Sequence, residues 1–397
     1  MIQKLMSVRV IRSDIGRPTI WGTVIAGSFA LAFFGTGTLF PSTYDTDFNL
    51  STAGAVESST VHMQTPNAVK AIYMTQCVVG TPHFRNKLVN LIEETELNSV
   101  VIDVKDYTGR IAFPSSHPLL KDNVSQKCGA PDMREFLSLL HDKEIYTIAR
   151  ITVFQDPNYT QKRPDLAIKK ASATTTVWSD YKGLSFIDVG ARDFWKYIEA
   201  LGHEAYEIGF DELNFDYVRF PSDGNMQDIY YPFSEEIVIA DPEYGKARVL
   251  KQFFAHLFKS FRHSGAVLSA DLFGMTTTNT DDLNIGQVLE NAFPYFDYIA
   301  PMVYPSHYPA TFNGFANPNH YPYEVIKFSL DSGVERAIAA TTTPLKIRPW
   351  LQDFDYGGNY GADEVRAQIQ ATYDAGLTGW MLWDPVNIYT RDALLSE

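Results

Sequence analysis

Between Ala68 and Trp383 the chain alternates eight times between short strand-like runs and longer segments, most of them amphipathic and helical. The strand-like runs are Ala68–Thr75, Ser99–Asp106, Ile145–Thr152, Gly209–Pro221, Ala266–Phe273, Tyr298–Tyr304, Ile347–Gln352 and Gly379–Trp383. Helical periodicity follows in the segment opened by Pro82, and in Asp132–Asp142, Asp193–Ile208, Lys246–Ser264, Tyr323–Ala340 and Gly361–Ala375. Strands that alternate with helices pair in parallel, and eight such units close into a barrel. The spacing predicts an α/β fold, a (β/α)8 TIM barrel over residues 68–397 with long βα loops. A doubly wound open sheet is the fallback, but no glycine fingerprint follows any strand.

In such a barrel, functional groups collect where strands end. The fourth run, GFDELNFDYVRFP, shows the pattern most sharply. Asn214, Asp216 and Val218 share one face at period two, with Leu213, Phe215 and Tyr217 on the other. Burying an unpaired carboxylate is costly, so Arg219 is expected to pair with Asp216. The same end of the barrel collects Asp103, Lys105 and Asp106 from strand two and Arg150 from strand three. Strands five to eight add Asp271, Tyr304, His307, Trp350, Gln352, Asp353, Trp383 and Asp384. Trp178 and Tyr231, in the long excursions around strand four, are further sugar-stacking candidates. A single Asp–Arg or Asp–Lys pair is ordinary barrel packing, whereas this many polar groups at one end indicate a cleft.

Carboxylates in an aromatic cleft suit glycoside hydrolysis, in which one acid protonates the leaving oxygen and another carboxylate attacks the sugar or activates water. Asp216 is expected to be the nucleophile or base. Asp271, following the apolar run AVLSA, is expected to be the acid, with Asp103, Asp353 and Asp384 as rivals. The nine histidines form no HxH or HExxH pair, and G-x-S-x-G, P-loop and kinase signatures are absent, so no metal or cofactor is expected.

Charge and targeting bound the rest. Net charge is −14; residues 1–19 contribute +3, which leaves the remainder at −17. That argues against a nucleic-acid partner and fits an extracytoplasmic enzyme acting on a neutral or cationic polymer. Ile20–Phe40 is an uncharged run long enough to span a bilayer, preceded by basic residues. It is expected to be a membrane anchor over residues 20–40, with a cleaved signal as rival, and residues 41–67 form a Ser/Thr-rich tether. The two cysteines, Cys77 and Cys128, either pair in an oxidising compartment or stay as buried thiols.

Five segments, IDVKD at 102–106, GFDELNFDYVRFP at 209–221, PMVYPSHY at 301–308, RPWLQDF at 348–354 and GWMLWDP at 379–385, resemble a bacterial glycosyl hydrolase domain family of TIM barrels whose function is unassigned. The resemblance runs from about Ala68 to the C-terminus and implies a carbohydrate substrate. A fainter similarity to chitinases lays their DxxDxDxE motif on Asp211, Asn214, Asp216 and Val218. The position of the chitinase acid is thus a valine, and Pro305 stands where their MxYD has its aspartate. The resemblance therefore leaves two readings, a glycosidase with a different acid or a non-catalytic glycan-binding barrel.

Overall fold

The structure, a computed structural model, describes residues 60–396. Eight parallel strands close a barrel: β1 Lys70–Met74, β2 Ser99–Lys105, β3 Tyr146–Thr152, β4 Glu212–Asp216, β5 Val267–Phe273, β6 Tyr298–Met302, β7 Trp350–Gln352 and β8 Trp380–Trp383. Around the barrel the strands follow one another in sequence, and β1 pairs with β8 to close it. Both faces of a parallel barrel are covered, so its strands read as apolar runs. Every residue of SVVIDVK in β2 is buried.

The longer helices pack outside through one stripe. In Arg192–Ile208, Phe194, Tyr197, Ile198, Leu201 and Ala205 recur at helical spacing and are buried. Gly209 follows at φ +125°, a backbone state that a side chain disfavours, and turns the chain into β4. Two of the eight expected repeats depart from the pattern. The helix after β5 is a single turn, Leu289–Ala292, and β8 is followed by the short 3-10 turn Arg391–Ala393. The excursion after β3 also forms a hairpin, Lys169–Lys170 with Ala173–Val177, which the strand pattern did not reveal.

At the N-terminal end of the barrel a polar layer forms the floor. Arg348 pairs with Glu212, which also accepts bonds from Ser269 Oγ at 2.5 Å and Tyr146 Oη at 3.3 Å. Residues 60–69 run beneath it, with Met63 N donating to Asp211 Oδ1 at 2.7 Å and His62 stacked 3.8 Å from the Tyr206 ring. Asp211 also accepts from His141, and these partners hold its pKa near 2 although burial opposes them. Cys77, just after β1, is disulfide-bonded to Cys128 in the β2–α loop, with Cα atoms 4.4 Å apart. The expected anchor Ile20–Phe40 lies outside the described residues. Among those residues no helix is long and apolar enough to cross a membrane.

Candidate active site

At the opposite end of the barrel the strand tips surround a cavity of about 330 Å³. Asp216 is the last residue of β4, and Asp271 lies on β5. The register pairs Phe215 with Ala270, so the two carboxyls occupy consecutive matched positions on neighbouring strands. Paired strands lie about 4.8 Å apart.

Arg150, at the centre of β3, joins the carboxyls. Its Nη1 donates to Asp103 Oδ1 at 2.5 Å, its Nη2 pairs with Asp216, and its Nε lies 3.8 Å from Asp271 Oδ2. The expected partner of Asp216 was Arg219, and this is corrected. Sequence proximity does not place Arg219 within ion-pair reach, because its side chain lies between the rings of Tyr217 and Phe273 at 4.8 and 4.9 Å. Asp103 is held from the far side by the Tyr73 hydroxyl. Tyr73 stacks on Trp383 at 4.0 Å, and Trp383 covers the Arg150 guanidinium at 4.9 Å.

One guanidinium faces three buried carboxyls, and such a group does not ionise all three together. Asp271 is where the proton stays. Burial, reinforced by the Asp216 charge, pushes its pKa up to about 8 against the opposing pull of Arg150. Asp103, with Arg150 and Tyr73 on it, rises only to about 6 through burial. Asp271 Oδ1 accepts from Asn214 Nδ2 at 2.9 Å and Trp350 Nε1 at 2.8 Å, whereas the buried Oδ2 has no hydrogen-bond partner. A proton on Asp271 therefore resides on Oδ2. Asp216 is fixed from below as well, its Oδ1 accepting from Tyr217 N at 2.5 Å. That contact comes with a left-handed residue, since Tyr217 has φ +51°. The turn ends the period-two alternation, so Val218 leaves the face expected of it and is buried among apolar groups.

The remaining expected residues divide cleanly. Arg219, Tyr304, His307, Trp350 and Trp383 line the cavity with Arg150, Asp216 and Asp271. His307 is held below its ordinary pKa by burial. The others lie off the cavity lining. Lys105 is wholly buried against Asp156 at 2.9 Å. Asp106 caps the turn at Thr108 N, 2.9 Å away. Asp353 accepts from Thr390 Oγ1 at 2.6 Å, Asp384 from Val386 N at 2.6 Å, and Gln352 from Ser306 Oγ at 2.7 Å. Trp178 and Tyr231 are also corrected: both are core residues of the excursions, 1% and 3% exposed. Trp178 Nε1 donates to Asn225 O at 3.1 Å, and Tyr231 meets the Phe220 ring edge-on at 5.1 Å. Tyr73 and Tyr217 were missed. For Tyr73, the signal was its inward parity on β1.

The sequence profile of the family described as "putative glycosyl hydrolase domain" matches residues 71–389. The chain belongs to this family. Among solved structures, this glycosyl hydrolase domain superposes on the glycoside hydrolase domain of PgaB (BpsB) from Bordetella bronchiseptica at 15% identity and TM-score 0.58, covering 83% of this chain and 99% of that one. The catalytic domain of β-amylase from Paenibacillus polymyxa matches at 10% identity and TM-score 0.52, covering 83% and 95%. At these identities the likeness concerns the barrel. A hypothetical protein from Ruminiclostridium thermocellum ATCC 27405 is 30% identical over 50% of this chain and 96% of its own, with TM-score 0.44. No curated protein matches the sequence.

Proposed function

We propose that this glycosyl hydrolase domain cleaves a polysaccharide with Asp271 as general acid and Asp216 as nucleophile, held at the cell envelope by its N-terminal segment. The observation that carries the reading is the buried Asp271 carboxyl on the cavity wall, its Oδ2 without a hydrogen-bond partner and its pKa raised by burial to about 8, beside an arginine-bound Asp216. A carboxylic acid that remains protonated at neutral pH is suited to donate a proton to a leaving oxygen. Asn214 and Trp350 occupy Oδ1, which leaves Oδ2 for the glycosidic oxygen. Asp216, ion-paired with Arg150, is placed to attack the anomeric carbon. After the aglycone leaves, Asp271 is a carboxylate and takes a proton from the water that releases the glycosyl group. Matched positions on adjacent strands favour retention, which needs carboxyls about 5–5.5 Å apart.

The burial of Val218 at the chitinase acid position favours the second reading, a barrel that binds glycans without cleaving them. Incubating the full-length protein with a polysaccharide panel and following the anomeric protons of the first products by NMR separates the two. Retained configuration is expected. Inverted products would move Asp216 to the role of base, and binding without products across the panel would favour the second reading. Recovery of the full-length protein in the membrane fraction tests the anchor, and a mature N-terminus beyond Phe40 would overturn it.

A further inference from the structure

The deeply buried arginines of this barrel are matched by acids, with one exception. Arg150 has its carboxyl cluster and Arg348 has Glu212. Arg219 is 9% exposed and lines the cavity, yet among the described residues no carboxylate lies within ion-pair reach of it. Its Nη1 donates to the carbonyl of its neighbour Phe220 at 3.1 Å, and the rings of Tyr217 and Phe273 lie 4.8 and 4.9 Å from its central carbon. Burial pulls its pKa below the ordinary arginine value even though Tyr217, Asp216 and Asp180 act in the other direction. A charge removed from water without a partner is costly, and its retention at a cavity wall is accounted for if the ligand supplies the partner.

We infer that Arg219 binds a carboxylate of the substrate, so that the glycan is acidic, with a uronic acid or similar carboxyl-bearing sugar beside Asp216 and Asp271. This rests on the glycosidase reading and names its substrate class. A flat guanidinium presents paired N–H donors at its edge, which match a carboxylate bidentately, and the rings of Tyr217 and Phe273, 4.8 and 4.9 Å from its central carbon, confine it. Arg219, Tyr217 and Phe273 line the same cavity as Asp216 and Asp271, so the carboxylate subsite opens onto the acid pair. The region after residue 19 carries −17 and repels polyanions at long range. The acidic groups recognised are therefore sparse along the glycan, and recognition is local. This revises the expectation of a neutral or cationic polymer drawn from overall charge.

The test measures binding by calorimetry to full-length D271N protein, so that turnover does not interfere. The probes are digalacturonate and a glucuronate-containing disaccharide, each against its carboxyl methyl ester. The free acid of at least one pair should bind at least about tenfold more tightly than its ester, the size expected for hydrogen bonds to a charged group. R219Q in the same background should abolish the preference, and R219K should restore part of it. Equal affinity of acid and ester in both pairs overturns the inference, as does a preference that survives R219Q. If R219Q fails to fold, the acid–ester comparison on D271N decides alone. Tighter binding of a sulfated disaccharide than of either uronate would assign the arginine to sulfate and overturn the carboxylate. Hydrolysis by D271N at the parent rate would take the acid role from Asp271, and binding without hydrolysis by the parent protein would defeat the glycosidase reading, each leaving the acid–ester preference intact.

Discussion

Arg150 Nε and Asp271 Oδ2 stand 3.8 Å apart, too far for a hydrogen bond, although the same guanidinium binds Asp103 and Asp216 directly. On the proposed reading, the difference divides the labour between the two cavity carboxyls. Asp216 has the charge partner, and Asp271 keeps the proton. Asp271→Asn and Asp216→Asn should therefore each lower kcat by about 10²–10⁴-fold on any hydrolysed glycan, with little change in affinity. Parent-like turnover in Asp216→Asn would remove it from the chemistry and promote the binding reading.

The pH profile should show which group donates. With Asp271 protonated below about pH 8, kcat/KM is expected to fall as pH rises through that value, and Asp271→Asn should erase the limb. Stability follows the same sign. The folded-state pKa is raised, so this carboxyl's contribution is complete below its unfolded pKa of about 4 and is lost as pH climbs through about 8. Asp211 has the opposite sign. With its pKa lowered to about 2, its contribution is present above about pH 4 and is lost as pH falls through 2. Thermal unfolding of the parent, Asp271→Asn and Asp211→Asn across this range checks both signs.

Trp383 is expected to act on binding before chemistry. It lines the cavity, stacks on Tyr73 and meets Trp350 at 90°. Trp383→Ala should raise KM by about tenfold or more through loss of an aromatic stacking surface, with a smaller change in kcat. A fall confined to kcat would instead show that its main task is to cover Arg150.

The Cys77–Cys128 bond spans 51 residues. Constraining a loop of that length in the unfolded chain corresponds to at most about 4 kcal/mol. Cys128→Ser should lower Tm by several degrees without changing KM, because neither cysteine is on the cavity lining. Reduction of the parent protein should reproduce the drop. Alkylation of both thiols without prior reduction would show that the bond is absent.

Much of the barrel was legible because its strands are two-sided apolar runs and its longer helices carry a clear stripe. Position along the strands placed Asp216 at the end of β4 and Asp271 near the end of β5. What position does not encode is which neighbour a side chain leans toward. Asp216 is three residues from Arg219 in sequence but bonds Arg150 across the sheet. Trp178 and Tyr231 looked like platforms because aromatic loop residues suit sugars, yet a long excursion has to be tied down, and these two do so by joining the main hydrophobic core. Asp353 and Asp384 lie just past strand ends, where carboxylates also brace loops, as these two do against Thr390 and Val386. Tyr217 carried no signal at all, since a tyrosine in a strand-like run gives no warning of a left-handed turn.

That turn has a consequence for anyone seeking a more heat-resistant version of this protein. A tyrosine held at φ +51° forfeits on the order of 1–3 kcal/mol. Tyr217→Asn tolerates such a backbone far better, but the strain it relieves is set against the packing of the ring on the core. The same change removes the ring beside Arg219, so any sturdiness gained should come with a slower enzyme.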